Sequence, residues 1–293
     1  MYFRINNAMT VIQFTPYTLN IKGRLIDIDR PQVMGILNVT PDSFYANSRL
    51  HDADAVKRRV ESMIADGVDW LDLGAYSSRP GADDISPQEE IDRLGMGMNA
   101  IRQIAPDIIV SVDTFRADVA GTAITQMNAD IINDISGGNL DPMMFETVAS
   151  LKNIPYILMH MRGTPATMND MTEYRDVTSD TLAELGERVN RLALLGVNDI
   201  IIDPGFGFAK TTEQNFSLLH NLNLFHLFKR PLLVGFSRKS MVYRTLNTTP
   251  DNALNGTTVL NTIALLSGTS ILRVHDVRQA SEAVKLVTHT LNS

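Results

Sequence analysis

Four polar side chains could together bind a flat ring that is rich in nitrogen. Asp113, Asn133, Asp203 and Lys239 each interrupt, end or closely follow a short apolar run of the sequence. Carboxylates accept paired N–H donors well, so Asp113 and Asp203 suit a heterocycle that presents a guanidine-like donor edge. The amide of Asn133 and the ammonium of Lys239 would add further polar contacts. This set predicts a pocket for a planar heterocycle.

A second set of side chains could bind an anion. Arg79, Arg273 and His275 are cationic or N–H-donating groups, and Asn38 ends the first apolar run with an amide. Such donors bind phosphates and stabilise charge that develops on a leaving group. We therefore predict a phosphorylated leaving group, bound in another part of the same rim. No three His or carboxylate residues have zinc-site spacing, whereas Mg²⁺ is commonly held by substrate phosphates and very few protein oxygens.

Single residues of these kinds often have simpler explanations. An Asp or Asn after a strand is more often a helix cap or a turn residue than a ligand. His160, between Met159 and Met161, is more simply explained as a hydrogen-bonded core histidine. Lys239 and Ser240 have the order found in a phosphate-binding loop, but the glycine spacing of that loop is absent. The combination of the two sets, rather than any one member, supports a site.

The polar residues follow eight short apolar runs that recur along the chain. Most runs are continuously apolar, which is typical of strands buried on both faces of a parallel sheet. The runs are 33–39, 69–74, 108–113, 130–135, 156–160, 199–203, 232–235 and 270–274. Stretches with helical spacing, such as Ile91, Leu94 and Met98, lie between them. Eight strand–helix alternations predict an α/β fold, a single (β/α)8 TIM barrel, with its chemistry at the C-terminal ends of the strands.

The length of 293 residues allows either two ordinary domains or one large barrel. No change of composition marks a linker, so the regular alternation favours the single barrel. We predict an N-terminal β-hairpin cap over residues 1–32, with strands at 10–14 and 20–26, and a catalytic barrel over residues 33–293.

Composition excludes several kinds of chemistry. The chain has no cysteine, which excludes a disulfide scaffold, a thiolate metal site and a cysteine nucleophile. Its net charge of −7 disfavours a nucleic acid partner, because such partners usually meet a basic surface. No apolar run approaches the roughly 20 residues that span a bilayer, and no secretion signal is recognisable. We expect a cytoplasmic protein that binds neither nucleic acid nor a membrane.

An ordered set of motifs resembles one enzyme family. The first motif, residues 34–44, strongly resembles the first signature of the dihydropteroate synthases, folate-pathway enzymes that sulfonamides inhibit. The other matching segments, in the same order as in the family, are 77–81, 111–114, 131–135, 203–208, 237–240 and 273–276. The resemblance covers the chain from about Met34 to its end, and the ordered set is far more specific than any one motif.

The resemblance implies a reaction and a set of roles. The family displaces pyrophosphate from (7,8-dihydropterin-6-yl)methyl diphosphate with the amine of 4-aminobenzoate, in a Mg²⁺-assisted dissociative step that gives 7,8-dihydropteroate. The implied catalytic residues are Lys239, Asp203 and Asp113. The implied pterin-binding residues are Asp113, Asn133, Asp203, Lys239 and Met161. The implied Mg²⁺ ligand is Asn38.

The same resemblance implies binding residues for the diphosphate group and for aminobenzoate. The implied diphosphate-binding residues are Asn38, Ser78, Arg79, Arg273 and His275. The implied aminobenzoate-binding residues are Phe44, Ser78, Pro80, Phe208, Lys239 and Ser240. The family also implies a homodimer that forms through the late helices.

Two loops depart from the family pattern. Residues 45–48 replace the usual Ser-Asp-Gly-Gly, and residues 76–78 replace the usual Glu-Ser-Thr. Both lie on loops that are expected to close over aminobenzoate.

Three alternatives remain beside the synthase. A methyltetrahydrofolate-dependent methyltransferase subunit would share the pterin-facing carboxylates but would need no diphosphate-binding group. A non-catalytic pterin-binding protein would fit the two altered loops. A sugar-phosphate barrel enzyme would explain the anion-binding rim but not the buried Asp113, Asn133 and Asp203.

Overall fold

The structure is a computed structural model that describes residues 11–40, 49–76 and 85–293. The strands in these ranges are β1 (Tyr17–Ile21), β2 (Arg24–Ile28), β3 (Gln32–Asn38), β4 (Trp70–Gly74), β5 (Ile109–Asp113), β6 (Ile131–Asp134), β7 (Tyr156–Met159), β8 (Ile200–Asp203), β9 (Leu233–Val234) and β10 (Ile271–Val274). The helices are α1 (Arg49–Ala65), α2 (Pro87–Ile104), α3 (Ala117–Thr125), α4 (Met144–Leu151), α5 (Val177–Leu194), α6 (Thr212–His220), α7 (Ser240–Thr245), α8 (Leu254–Leu266) and α9 (Val277–Leu291).

Strands β3 to β10 form one parallel sheet in the order β8-β7-β6-β5-β4-β3-β10-β9. The two edge strands meet through a parallel bridge between Ile202 and Leu232, and the Ile202 amide donates to the Pro231 carbonyl over 2.9 Å. The sheet therefore curls into a nearly closed (β/α)8 barrel, which confirms the predicted fold. All eight predicted strand ranges agree with the observed ones to within one residue.

Helices cover the outside of the sheet and bury their apolar faces against it. In α2, Ser86 caps the first turn by accepting from the Glu89 amide over 3.2 Å, and Pro87 occupies the first helical position. Leu94 and Met98 of this helix are buried in the main core between sheet and helices. No helix among the described residues is long and apolar enough to cross a membrane.

The N-terminal hairpin differs from its prediction in register. Its turn lies at Lys22 and Gly23, inside the range 20–26 that was predicted to be a strand, and residues 11–14 form no strand. Lys22 and Gly23 both have positive φ, +52° and +84°, as a two-residue turn between twisted strands requires. Leu19 and Ile28 pack against residues at the N-terminal ends of the barrel strands, such as Ile131. The hairpin therefore covers the end of the barrel opposite the predicted chemistry.

Candidate active site

The predicted ring-binding residues gather at the C-terminal mouth of the barrel. Asp113 and Asp203 are the last residues of β5 and β8, and Asn133 lies one residue before the end of β6. Met161 is fully buried just after β7, and Lys239 is the residue immediately before α7. Since parallel strands of a barrel end at one mouth, the topology alone brings these five side chains together.

Some predicted residues lie outside the described ranges. They are Phe44, Ser78, Arg79 and Pro80, together with the altered segment 45–48. Tyr76, at the start of the other altered loop, is described. Its ring packs edge-on against Phe115, with 5.0 Å between ring centroids, and the Arg116 guanidinium lies 5.3 Å from the Tyr76 ring centre.

Arg273 joins the two predicted sets. Its Nε donates to Asp72 Oδ2 over 2.6 Å, and its Nη2 donates to Asp113 Oδ2 over 2.5 Å. The prediction that Arg273 lies in a separate part of the rim was therefore wrong. Its side chain points from β10 into the barrel, where it meets inward-pointing carboxylates of β4 and β5.

Asp72 is a member of the site to which the sequence assigned no role. It is fully buried in β4 and also accepts from Asn133 Nδ2, at 3.3 Å for Oδ1 and 3.1 Å for Oδ2. Asp72 thus fixes both Asn133 and Arg273. The only sequence signal was a carboxylate inside an otherwise apolar run.

Burial and the neighbouring charges have opposite effects on the pKa values of Arg273 and Asp113. Burial raises the pKa of Asp113, and the nearby Arg273 guanidinium opposes that rise. Burial would lower the pKa of Arg273, but Asp72 and Asp113 together raise it above its ordinary value. We infer an arginine that is always charged, lying between two carboxylates that it holds in place.

Lys239 and Asp203 are two further oppositely charged groups of the mouth, and each affects the pKa of the other. Lys239 Nζ donates to the Phe206 carbonyl over 2.5 Å and lies 4.7 Å from the centre of the Phe208 ring. Burial lowers the pKa of Lys239 to about 8, and Asp203 opposes that fall. Burial likewise raises the pKa of Asp203, against the attraction of Lys239. The next residue, Ser240, opens α7.

His275 offers a different chemistry from the one expected. Burial, together with the nearby Arg273 charge, lowers its pKa to about 4. At neutral pH His275 is therefore an uncharged donor or acceptor rather than the cation considered in the sequence prediction. Its backbone is held on both sides: its amide donates to Ser237 Oγ over 3.2 Å, and its carbonyl accepts from Arg59 Nη2 over 2.6 Å.

Asn38 could contribute one oxygen to a metal ion. It ends β3 beside Gly74, and a Cβ on Gly74 would lie 3.1 Å from Asn38 Oδ1 and 3.5 Å from Asp113 Cβ. The glycine therefore leaves open space in front of the amide oxygen. No group of three or more His, Cys, Asp or Glu side chains among the described residues could hold a metal. A single neutral oxygen fits Mg²⁺ that takes its other ligands from phosphate and water.

The loop after β8 makes a close approach that only glycine permits. Gly205 has φ of +72°, and a Cβ there would lie 1.9 Å from the His160 carbonyl oxygen. His160 itself is fully buried, as predicted, and its ring binds two residues that the sequence did not single out, Glu184 and Lys210. Neither Glu184, on α5, nor Lys210, in the loop, carried a recognisable sequence signal.

We expect Gly205→Ala to lower the free energy of unfolding by about 2 kcal/mol or more, because backbone must move to admit the methyl group. Gly196→Ala is the matched control. Gly196 also has positive φ, +85°, but nothing lies within 4 Å of its Cβ position, so its cost is conformational and about 1 kcal/mol. Urea unfolding of the two variants checks this. Equal losses of stability would contradict the assigned close approach.

Comparison with known proteins agrees with the geometry. Residues 34–275 match the family model described as pterin binding enzyme. The Escherichia coli K12 dihydropteroate synthase is 40% identical over 276 residues, covering 93% of this chain and 96% of that protein. A Yersinia pestis dihydropteroate synthase, solved with a sulfonamide drug complex, has a TM-score of 0.86 and 38% identity over 94% of this chain and 100% of that one.

A third relative was solved with small molecules. The Xanthomonas albilineans dihydropteroate synthase with 4-aminobenzoic acid has a TM-score of 0.86 and 32% identity, over 95% of this chain and 100% of that one. Its structure with 7,8-dihydropteroate has a TM-score of 0.84 and 30% identity, over 94% and 100%. The chain belongs to the dihydropteroate synthase family of pterin-binding enzymes, which are transferases.

Proposed function

We propose that this enzyme condenses (7,8-dihydropterin-6-yl)methyl diphosphate with 4-aminobenzoate, giving 7,8-dihydropteroate and pyrophosphate. The contact between Arg273 and Asp113 is the observation that carries the proposal. In the first substrate one methylene joins the ring to the diphosphate, so the ring-binding and anion-binding groups must be adjacent. A cation directly beside a ring-facing carboxylate meets that requirement.

The pterin ring is proposed to lie among Asp113, Asn133, Asp203 and Met161. Asn133 donates its amide hydrogens to Asp72, which leaves Asn133 Oδ1 to accept from the ring. The carboxylates of Asp113 and Asp203 would accept the paired N–H donors of the ring edge. Lys239, close to Asp203, would add an N–H donor to a ring acceptor.

Aminobenzoate is proposed to bind beside Phe208, Lys239 and Ser240, with Phe44, Ser78 and Pro80 completing its site. The Phe208 ring already stacks against the Lys239 ammonium, so an aromatic substrate would meet one flat apolar surface and one cation there. The backbone N–H groups that open α7 near Ser240 suit the substrate carboxylate. The Xanthomonas structure with 4-aminobenzoic acid supports this choice of second substrate.

The diphosphate is proposed to bind Arg273 and the neutral His275, together with Ser78 and Arg79. Asn38 would hold a Mg²⁺ ion that, when bound, neutralises charge on the departing pyrophosphate. Arg273 supplies the fixed positive charge of the chain itself, since its carboxylate partners keep it in position.

The chemistry needs little proton transfer at the start. The aromatic amine is a neutral nucleophile, so a strong general base is unnecessary. The C–O bond to the diphosphate breaks with its electron pair leaving on pyrophosphate, and the amine nitrogen forms the new C–N bond and then loses a proton. Asp113 and Asp203 would stabilise the positive charge that develops on the pterin as the leaving group departs.

The direct test is a coupled pyrophosphate-release assay in which each component is omitted in turn. We expect release only when both substrates and Mg²⁺ are present. Release without aminobenzoate would indicate hydrolysis, and no release from folded protein would refute the proposed reaction. Tight pterin binding without product would instead identify a non-catalytic pterin-binding protein.

The activity should depend on the charge of Lys239. Its ammonium is present below a pKa of about 8 and is lost as the pH rises through that value. We expect kcat/KM to fall about tenfold per pH unit well above pH 8, because kcat/KM reports the ionisation of the free enzyme. Lys239→Arg, which stays charged, should give a lower but flatter profile. A wild-type profile that stays flat to about pH 10 would contradict this role.

We also propose the cytoplasmic homodimer that the family resemblance implies, with the late helices at the interface. Light scattering on the purified protein tests the oligomeric state: a monomer at micromolar concentration would contradict it.

A further inference from the structure

The loop after β8 contains a lysine that the proposed reaction does not use. Lys210 turns its side chain inward and is only 9% exposed. Its Nζ donates to the carbonyls of Gly205 and Phe208, at 3.1 Å each, and lies 3.0 Å from His160 Nδ1. The side-chain amine of Lys210 therefore contacts both ends of a four-residue stretch of the loop.

His160 continues the chain of contacts to α5. Its Nε2 lies 3.0 Å from Glu184 Oε2, and Arg162 binds the other carboxylate oxygen of Glu184. Burial, with the nearby Lys210 charge, lowers the pKa of His160 to about 4, so the ring is neutral. Burial would raise the pKa of Glu184, but hydrogen bonds from His160 and Arg162 lower it to about 2. A single tautomer fits both contacts: Nε2–H donates to Glu184, and Nδ1 accepts from Lys210.

The opposite side of the same loop faces the active site. The Phe206 carbonyl accepts from Lys239, and the Phe208 ring lies against the Lys239 ammonium. Alternate groups of the loop thus point inward to Lys210 and outward to Lys239. Gly205 and Gly207 both have positive φ, a backbone conformation that glycine adopts at little steric cost.

We propose that Lys210, supported by His160 and Glu184, is a positioning residue for the aminobenzoate side of the reaction. It fixes the two carbonyls on either side of Phe206 and Phe208 and thereby sets the Phe208 ring against Lys239. The role rests on the function proposed above, and it predicts an effect on one substrate more than on the other. Asn133 is anchored independently of this loop, by Asp72. Asp203 accepts from the Gly205 amide but is itself the last residue of β8, where the strand holds its backbone.

The test is Lys210→Met, which keeps the length of the side chain but cannot donate a hydrogen bond. We expect the KM for aminobenzoate to rise about tenfold or more, since small displacements of positioned groups cost that much, while the KM for the pterin diphosphate changes less than about twofold. Amide hydrogen exchange in residues 205–209 should become faster in the absence of substrates. In a Phe208→Leu background the further effect on aminobenzoate should be small, because the affected contact is already lost.

Arg102→Met is the matched control. Arg102 is a cation that also binds backbone carbonyls, those of Pro106, Ile108 and Asn128. It lies with Asp130 at the N-terminal end of the barrel. The Arg102→Met variant should have a lower melting temperature but unchanged KM values for aminobenzoate and for the pterin diphosphate. If Lys210→Met does not fold, Lys210→Gln replaces it and should show the same difference between substrates, to a smaller degree.

The outcomes separate the two proposals. A wild-type protein that releases no pyrophosphate overturns the proposed function, and this role with it. An active wild type whose Lys210 variants change both KM values equally, or neither, overturns the positioning role alone. So does a rise in the KM for aminobenzoate that Arg102→Met reproduces.

Discussion

Lys239→Ala is expected to lower turnover about 100-fold or more while the protein stays folded. The change removes the ammonium that binds the Phe206 carbonyl and lies over the Phe208 ring, and whose charge is favoured by the nearby Asp203. Preorganised charge at a reacting centre contributes effects of this size, because it needs no rearrangement as charge develops. The fold should persist, since burial lowers the pKa of Lys239 and its charge is costly to bury.

Asp203→Asn tests the other half of this pair. The amide is the same size and can still accept from the Gly205 amide, as the carboxylate does over 2.8 Å, but it carries no negative charge. Turnover should again fall about 100-fold. Steady-state pyrophosphate release and the melting temperature are the measurements, with Lys285→Ala on the exposed face of α9 as control. Near wild-type turnover in either site variant would refute the assigned roles.

Arg273→Met is expected to cost about 3 kcal/mol or more of unfolding free energy and to abolish measurable turnover. The variant leaves Asp72, which is fully buried, and Asp113 without their shared cation. Removing one partner of a buried ion pair is far more costly than removing a surface pair. Arg30→Met is the matched control, because Arg30 pairs with Asp69 while half exposed, and its loss should cost under about 1 kcal/mol.

A second change separates stability from function in this prediction. Arg273→Met combined with Asp72→Asn removes one of the two unpaired charges, so it should recover part of the stability but none of the activity. Urea unfolding and pyrophosphate release measure the two properties. Equal stability losses for Arg273→Met and Arg30→Met would show that the contacts of Arg273 with the two carboxylates stabilise the fold no more than a half-exposed ion pair does.

The barrel strands could be predicted because each is buried on both faces. The run 199–203 places three consecutive isoleucines, 200–202, between two aspartates, and an unbroken apolar stretch of this length is typical of a strand inside a covered sheet. The hairpin lacks such a constraint. Leu25 is 73% exposed, so apolar residues there do not mark the inner face, and the Lys22–Gly23 turn is not one of the dipeptides that most strongly signal a hairpin.

The site could be predicted only as far as topology reaches. Asp113, Asn133 and Asp203 lie at or next to the C-terminal ends of strands, and barrel geometry brings those ends together. The pairing of Arg273 with Asp72 depends on which inward side chains meet across the barrel, and strand periodicity carries no such information. The position of Lys210 could not be predicted from the sequence either, because a lysine in a polar loop is ordinarily solvated. Only the packed structure shows that its side chain turns inward.

The way in which the barrel closes implies that a bound ligand would also stabilise the closure. In the described part of the chain, one bridge, between Ile202 and Leu232, joins the β8 and β9 edges of the sheet. Asp203 is the last residue of β8, and Lys239 lies in the segment after β9. A molecule that contacts both side chains would therefore link the two sheet edges at the junction that has the fewest backbone contacts. Amide exchange at Ile202 and Val234 should slow when such a ligand binds, because the bound substrate would add a link between the two edges of the barrel sheet.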